Sequence, residues 1–333
     1  MRWDAVCIGN AIMDALVVVE SDQLLHDLGL TRGIMHPVDD AGWHAVHEAV
    51  RGLDIRHEAG GSGANAISTL GRLGARVVHC GQVGDDALGH LYAERLSESC
   101  GGHRLRFTKH AATGKCLSLI SAVDAERTMV TDLGASVQLD DMASFEDELR
   151  ATRLAHFEGY TLLDGPLFPV VQRAMRIAKE SGALISLDAS DPFVIHAIHD
   201  RFWAVLREHV DIVFLNAEEA RALTNLAPEE AAPVIAEQGQ VGVVVVKLGA
   251  RGAVVWHRGQ SVHVPAERVR AIDTTGAGDA FAGGFLYGWL NEWGAERSAR
   301  LAAAVAAATV AQIGAVVKDS QLLAGIRERI AEG

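Results

Sequence analysis

The run Val241-Gly242-Val243-Val244-Val245-Val246 leaves no polar face to turn toward water. A strand of that kind must be buried on both sides, which calls for a parallel sheet covered by helices. Related apolar runs occur at residues 5–8, 77–80, 184–188 and 212–215, and the valine run itself extends to Lys247. Helix-like patterns lie between them at residues 64–73, 166–181 and 218–224. Such alternation predicts an α/β fold built around a central, mostly parallel sheet.

Two regions break the rhythm. Residues 11–58 and about 103–131 hold short apolar stretches, at 16–19, 117–122 and 128–131, mixed with polar residues. No internal repeat or low-complexity linker divides the chain, so residues 1–333 are expected to form one unit. Its core would comprise 1–10, 59–102 and 132–333.

Composition narrows the partners. A formal net charge of −13 weighs against nucleic acid or an anionic membrane as the main partner. Cys7, Cys80, Cys100 and Cys116 form no C-x-x-C pair and suit reduced thiols of a cytoplasmic protein. Residues 1–9 look like a first strand rather than a signal peptide. Residues 301–317 are apolar, but alanine dominates them and Gln312 and Gly314 interrupt them, so a buried helix is expected instead of a membrane span. The histidines, including His44/His47 and His196/His199, show no spacing that compels a metal site.

The chemistry concentrates in Asp273-Thr274-Thr275-Gly276-Ala277-Gly278-Asp279, which runs into the apolar segment Ala280-Phe281-Ala282-Gly283-Gly284-Phe285. Small residues before a helix start expose backbone N–H groups, and the helix dipole adds positive potential there. The amides of Gly276, Ala277 and Gly278 would hold a transferring phosphoryl group while Asp279 takes a proton from the attacking hydroxyl. A plain capping aspartate is the alternative. Gly61-Ser62-Gly63-Ala64-Asn65-Ala66 formally satisfies the dinucleotide fingerprint G-x-G-x-x-A, yet residues 54–59 are too charged for the buried strand that should precede it. No G-x-x-x-x-G-K-[ST] occurs, which disfavours a P-loop mechanism. Asn10 and Asp14 follow the first strand, where an amide and a carboxylate can grip vicinal hydroxyls or simply form a turn. Asn216 and Glu219 follow residues 212–215 and offer oxygen ligands to a magnesium ion acting largely through water. Glu218 and Glu219 also suit a helix first turn.

The stretch D-T-T-G-A-G-D-A-F-A-G-G-F resembles the C-terminal signature of the ribokinase/PfkB family of ATP-dependent kinases. Gly60-Gly61-Ser62-Gly63-Ala64-Asn65-Ala66-Ile67 with Leu70-Gly71-Arg72-Leu73-Gly74 is similar to that family's N-terminal signature, and Asn216-Ala217-Glu218-Glu219 to its Asn-x-x-Glu motif. The resemblance implies a ribokinase-like three-layer fold whose small β-sheet lid comes from residues 11–58 and 103–131. It implies ATP with Mg²⁺, and K⁺ held between the Asp273 loop and Ile313-Gly314-Ala315. Asn10, Asp14, Gly60, Gly61, Asn65 and the lid residue Arg127 would bind substrate, with Thr113-Gly114 also in the lid. Asn216, Lys247, Gly249, Gly252 and Thr274 would serve the nucleotide, Lys247 being alternatively a solvated strand end. Glu219 and Asn216 would organise the metal. Leu187-Asp188-Ala189-Ser190-Asp191-Pro192-Phe193, Glu126-Arg127-Thr128-Met129 and Glu158-Gly159-Tyr160 look like the adenosine kinase branch, with Leu16, Tyr160 and Phe193 near the base. A sugar kinase for ribose, fructose or 2-keto-3-deoxygluconate is the alternative, and a silent nucleoside- or sugar-binding regulator a further one. Monomer and homodimer both remain open.

Overall fold

The structure is a computed structural model and describes residues 2–332. Strands β1 (Trp3–Ile8), β5 (Val77–Gly84), β6 (His103–Thr108), β9 (Thr152–Glu158), β10 (Leu184–Asp188), β11 (Ile212–Asn216), β12 (Val243–Lys247), β13 (Ala253–His257) and β14 (Gln260–Val264) form the large sheet. Its order is β14-β13-β12-β11-β10-β9-β1-β5-β6, parallel from β12 to β6 and antiparallel only at β12–β13 and β13–β14. The valine run is β12, and it is buried from Val243 to Val246. Alternate residues of each strand enter opposite cores. Val6, Ile185, Val213, Val244 and Val246 face the helices Leu167–Glu180 and Pro192–His209. Ala5, Cys7, Phe214, Val243 and Val245 face Ser62–Arg72, Ala277–Leu290 and Gly294–Val310. This two-sided burial is why the strands read as unbroken apolar runs.

Strands β2 (Ile12–Val19), β3 (Met35–Pro37), β4 (Ile55–Gly60), β7 (Gly114–Ser121) and β8 (Arg127–Asp132) form a second sheet, ordered β3-β8-β7-β2-β4. The helix Asp40–Val50 covers one face, packing Trp43, Val46 and Val50 on Ala15, Val17, Val19, Leu117, Leu119 and Val130. Residues between them in sequence, such as Asp14 and Leu16 paired with Cys116 and Ser118, take the other face. Lys115 ties helix to sheet: its Nζ donates to Asp40 at 2.5 Å and Asp132 at 3.0 Å and lies 5.4 Å from the centre of the Trp43 ring.

Three expectations shift. Residues 103–108 are the edge strand β6 of the large sheet, so only the part of 103–131 after them feeds the small one. The charged stretch before Gly61 is a strand after all, but an antiparallel edge strand of the small sheet, where Arg56 can stay exposed. The apolar segment 301–317 is helical only to Val310; the chain then turns, and Gly314–Val317 is buried without helix. No helix among the described residues is long and apolar enough to cross a membrane.

Candidate active site

Four neighbouring parallel strands end on polar residues: β9 on Glu158, β10 on Asp188, β11 on Asn216 and β12 on Lys247. Carboxyl ends of parallel strands are where open α/β sheets place their ligands, because chain crossovers leave a crevice there. The turn after β1 brings Asn10 to the same edge, and the helix Ala277–Leu290 points its N-terminus at it. Gly276, its N-cap, has φ of +70°, and a Cβ there would stand 2.3 Å from Ala315 Cβ, so only glycine fits. The Ala277 amide donates a long bond to the Thr274 carbonyl at 3.3 Å, which leaves Gly276 and Gly278 as the freer donors. Thr274 itself is exposed.

Asp279 lies in the first turn of this helix. Its Oδ1 accepts from Ser62 Oγ at 2.8 Å and its Oδ2 from Asn65 Nδ2 at 2.9 Å. Those donors sit at the start of the helix Ser62–Arg72, so both glycine-rich segments converge on one carboxylate. A cap would accept from backbone amides of its own helix; this carboxylate reaches across to another. Burial raises its pKa, with Asp188 adding to the rise, while the bonds from Asn65 and Ser62 and the Lys247 charge oppose it. The Oδ1 atoms of Asn65 and Asn10 are buried without a protein partner. Buried amide oxygens rarely stay unpaired, so two at one crevice fit a hydroxylated ligand.

Gly61 turns the chain from β4 into that helix with φ of +97°, and a Cβ there would stand 2.1 Å from the Asn10 carbonyl oxygen. Asp14 lies against Gly60, whose added Cβ would meet Asp14 Oδ2 at 2.1 Å. Burial lifts the Asp14 pKa to about 7, and the Arg127 charge on β8 pulls it back. Arg127 is half-buried on the small sheet. Thr113, by contrast, is buried in a structural bond to Asp86 at 2.7 Å. Leu16 is buried in β2, Tyr160 is half-buried after β9, and Phe193 is 59% exposed.

Lys247 is not a solvated strand end. Its Nζ donates to Asp188 Oδ2 at 2.7 Å and stands 3.1 Å from where a Gly278 Cβ would be. Burial alone would lower its pKa, but Asp188 and Glu219 outweigh that and hold the ammonium charged. Gly249 and Gly252 bracket the short turn after β12, both with positive φ. Asn216 caps the helix Ala217–Thr224: its Oδ1 accepts from the amides of Glu218 and Glu219, each at 2.8 Å. Glu219 answers, accepting from the Asn216 amide at 2.7 Å and Nδ2 at 2.6 Å. Burial raises the Glu219 pKa. Because this capping box already engages both carboxylate oxygens, the pair fits a metal held through water and phosphate rather than by direct ligation.

Two residues of the site carry no role in the sequence-based expectations. Glu158 accepts from the Asn10 amide at 2.8 Å and the Gly63 amide at 2.6 Å, and burial pushes its pKa to about 7. It pins the loops of Asn10 and Gly63 together. Asp188 holds Lys247. Each is a carboxylate closing an apolar run, a signal present in the sequence but interpretable only once the strand ends are known to be neighbours. Asp273 joins the last segment: its Oδ1 accepts from the Thr275 amide at 2.8 Å and its Oδ2 from the Gly314 amide at 2.9 Å.

A family model described as pfkB family carbohydrate kinase matches residues 30–321. The chain belongs to that family. It is therefore an ATP-dependent phosphotransferase with an alcohol group as acceptor. Ribokinase from Mus musculus is 29% identical over 250 residues, covering 72% of this chain and 74% of the relative. Ribokinase from Haemophilus influenzae is 30% identical, covering 72% and 76%. Among solved structures, adenosine kinase from Sinorhizobium meliloti superposes with a TM-score of 0.89 at 29% identity, over 99% of each chain. A probable sugar kinase from Rhizobium etli gives 0.90 at 28%, again over 99% of each. The ribokinase-like three-layer fold is shared with these neighbours, and the dinucleotide alternative falls.

Proposed function

We propose that this kinase transfers the γ-phosphoryl group of ATP to the primary hydroxyl of a nucleoside, adenosine first among them. The carrying observation is Asp279, held by Ser62 and Asn65 at the positive end of a helix and next to the unpaired amide oxygens of Asn10 and Asn65. Asp279 takes the hydroxyl proton, a step worth roughly 10²–10⁴-fold. Its raised pKa matches that task, since a base closer to neutrality accepts a proton more readily. Amides of Gly276 and Gly278, with a weaker contribution from Ala277, stabilise charge on the phosphoryl oxygens, and the fixed Lys247 ammonium lies beside them. Magnesium, organised by Asn216 and Glu219 through water, would neutralise phosphate charge. Thr274, Gly249 and Gly252 line the nucleotide side. Asn10 and Asp14 grip the ribose hydroxyls, Gly60 and Gly61 let it approach the backbone, and the Arg127 charge favours the ionised form of Asp14. K⁺ would act through the Asp273–Gly314 junction, and equal rates in sodium and potassium would remove that element.

Adenosine is supported by likeness to the Sinorhizobium meliloti enzyme along the whole chain. A sugar acceptor is the second candidate, favoured by the ribokinase relatives and the Rhizobium etli neighbour. ADP production across adenosine, other nucleosides, ribose, fructose and 2-keto-3-deoxygluconate separates them. Strong turnover with a nucleoside is the expected result; a clean sugar preference would discard the nucleoside assignment and keep the chemistry. Silence across the panel with ligand binding intact would bring a regulator forward.

A further inference from the structure

At the opposite end of the large sheet, away from Asp279, lies an open surface cavity of about 530 Å³, with Arg2 and Arg258 exposed at its rim. Arg2 stands before β1, Arg153 and Leu184 belong to the first residues of β9 and β10, and Arg258 sits in the turn between β13 and β14. All four line the cavity, together with Trp289 near the C-terminus of the helix that begins beside the catalytic carboxylate, and Glu292 just beyond it. Three guanidiniums thus face one carboxylate, in a chain whose net charge is −13. Arg153 is already answered, by Asp4 at 3.1 Å and by the Leu290 carbonyl at 2.6 Å. Arg2 gives only Nε and Nη2 to the Thr152 carbonyl, at 3.2 and 3.1 Å, leaving Nη1 unused. No carboxylate of the described residues lies within ion-pair distance of Arg2 or Arg258.

Arg258 occupies its turn at a price in backbone strain. Its φ is +51°, a left-handed conformation that hairpin turns of this length normally give to Asn, Asp or Gly. The turn therefore does not account for an arginine at that position. Trp289 and Leu184, the latter 36% exposed, add an apolar wall to the same cavity. The volume falls within the range of small-molecule sites and exceeds what an inorganic anion fills.

We propose that this cavity binds a small organic phosphate, with the phosphoryl group on Arg2 and Arg258 and the uncharged body against Trp289 and Leu184. Guanidinium groups match phosphate oxygens in geometry and charge, and an apolar wall beside them selects for a ligand with more than a phosphate. The assignment does not depend on which alcohol the active site phosphorylates.

The test is local. The chain has six tryptophans, so its indole N–H resonances are few, and the one that vanishes in Trp289→Phe identifies the cavity. Titration of the wild-type enzyme with AMP, and separately with ribose 5-phosphate, should move that resonance saturably. In the double variant Arg2→Glu/Arg258→Glu the affinity read from it should fall at least tenfold, while ADP production from ATP stays unchanged and certifies the fold. Inorganic phosphate should bind more weakly than either ester. An unmoved Trp289 resonance with both esters overturns the site. An equal shift in the double variant does so too, because the effect would then arise from the active site. Equal affinity for inorganic phosphate would overturn the role of the apolar wall.

Discussion

The two sheets of this molecule obey different rules. The large sheet is clad by helices on both faces, so its central strands are mostly apolar, and the polar residues of the candidate site stand at the strand ends, on Glu158, Asp188, Asn216 and Lys247. The small sheet buries one face under the helix Asp40–Val50 and turns the other to the crevice, so polar Asp14 and Ser118 alternate with Ala15 and Leu117. In the proposed reading, one sheet positions a base and a phosphate cradle while the other supplies a cover and hydroxyl contacts. A rigid support and a cover therefore divide the work, and substitutions in them should fail differently.

The largest effect belongs to the support. Asp279→Asn should lower kcat by roughly 10²–10⁴-fold. Steady-state kinetics beside a thermal melt would check this, with the melting temperature expected to hold or rise as a buried charge is removed. Retained turnover would break the assignment of the base.

Next comes the core beneath it. Phe214 is fully buried in β11 and meets Phe285 edge-on at 5.6 Å, so Phe214→Ala should cost about 3–5 kcal/mol in urea unfolding. Lys115→Ala in the small sheet leaves the Asp132 carboxylate, only 13% exposed, without its cation. Its cost should be about 3 kcal/mol or less, since Asp40 is exposed enough to find water. Hydrogen exchange should show that loss confined to residues of β2, β7, β8 and the helix Asp40–Val50. Equal loosening of both sheets would mean that the two are one cooperative unit.

The substrate side offers a pH test of the cover. If Asp14, lifted to about 7, holds the acceptor hydroxyls as proposed, it does so best when ionised, so KM for the acceptor should fall as pH rises through 7. Arg127→Gln removes a charge that lowers this pKa, and should move the midpoint to higher pH. A midpoint that stays in place would separate Arg127 from Asp14.

The smallest effect lies inside the large sheet. His79 is fully buried, and burial drives its pKa down to about 3. Its folded pKa lies below the unfolded one, so the stability it contributes is present above about pH 6.5 and is lost as pH falls toward 3. At pH 5 the loss is about 2 kcal/mol, from the proton that only the unfolded chain binds. The stability difference between wild type and His79→Leu should shift by that amount between pH 7 and pH 5, measured by urea unfolding at each pH. A constant difference would show that His79 is solvated.

His79 also marks a limit of pattern. The run Val77–Cys80 places it in a buried strand, but only in-register pairing sets it between Cys7 and His103 in the large sheet. Lys247 is similar: after a run of valines it looks like a strand end reaching water, and only Asp188, 59 residues earlier, makes it a buried cation. Strand β6 breaks the strand–helix rhythm that marks the rest of the large sheet, because it lies at the edge, where Arg104 on one face and Phe107 on the other both reach solvent.

By itself, the sequence determined the α/β class, most large-sheet strands and the glycine-rich turns, because two-sided burial and left-handed backbone each demand particular residue types locally. It also carried the family signatures, which lie in contiguous runs. Only the tertiary structure decided that Asp279 rests on Ser62 and Asn65, that Glu158 clamps the loops of Asn10 and Gly63, and that Lys247 stands beside Gly278. Those contacts join residues from about 30 to more than 200 positions apart, and their strength comes from a shared low-dielectric crevice that no local pattern encodes.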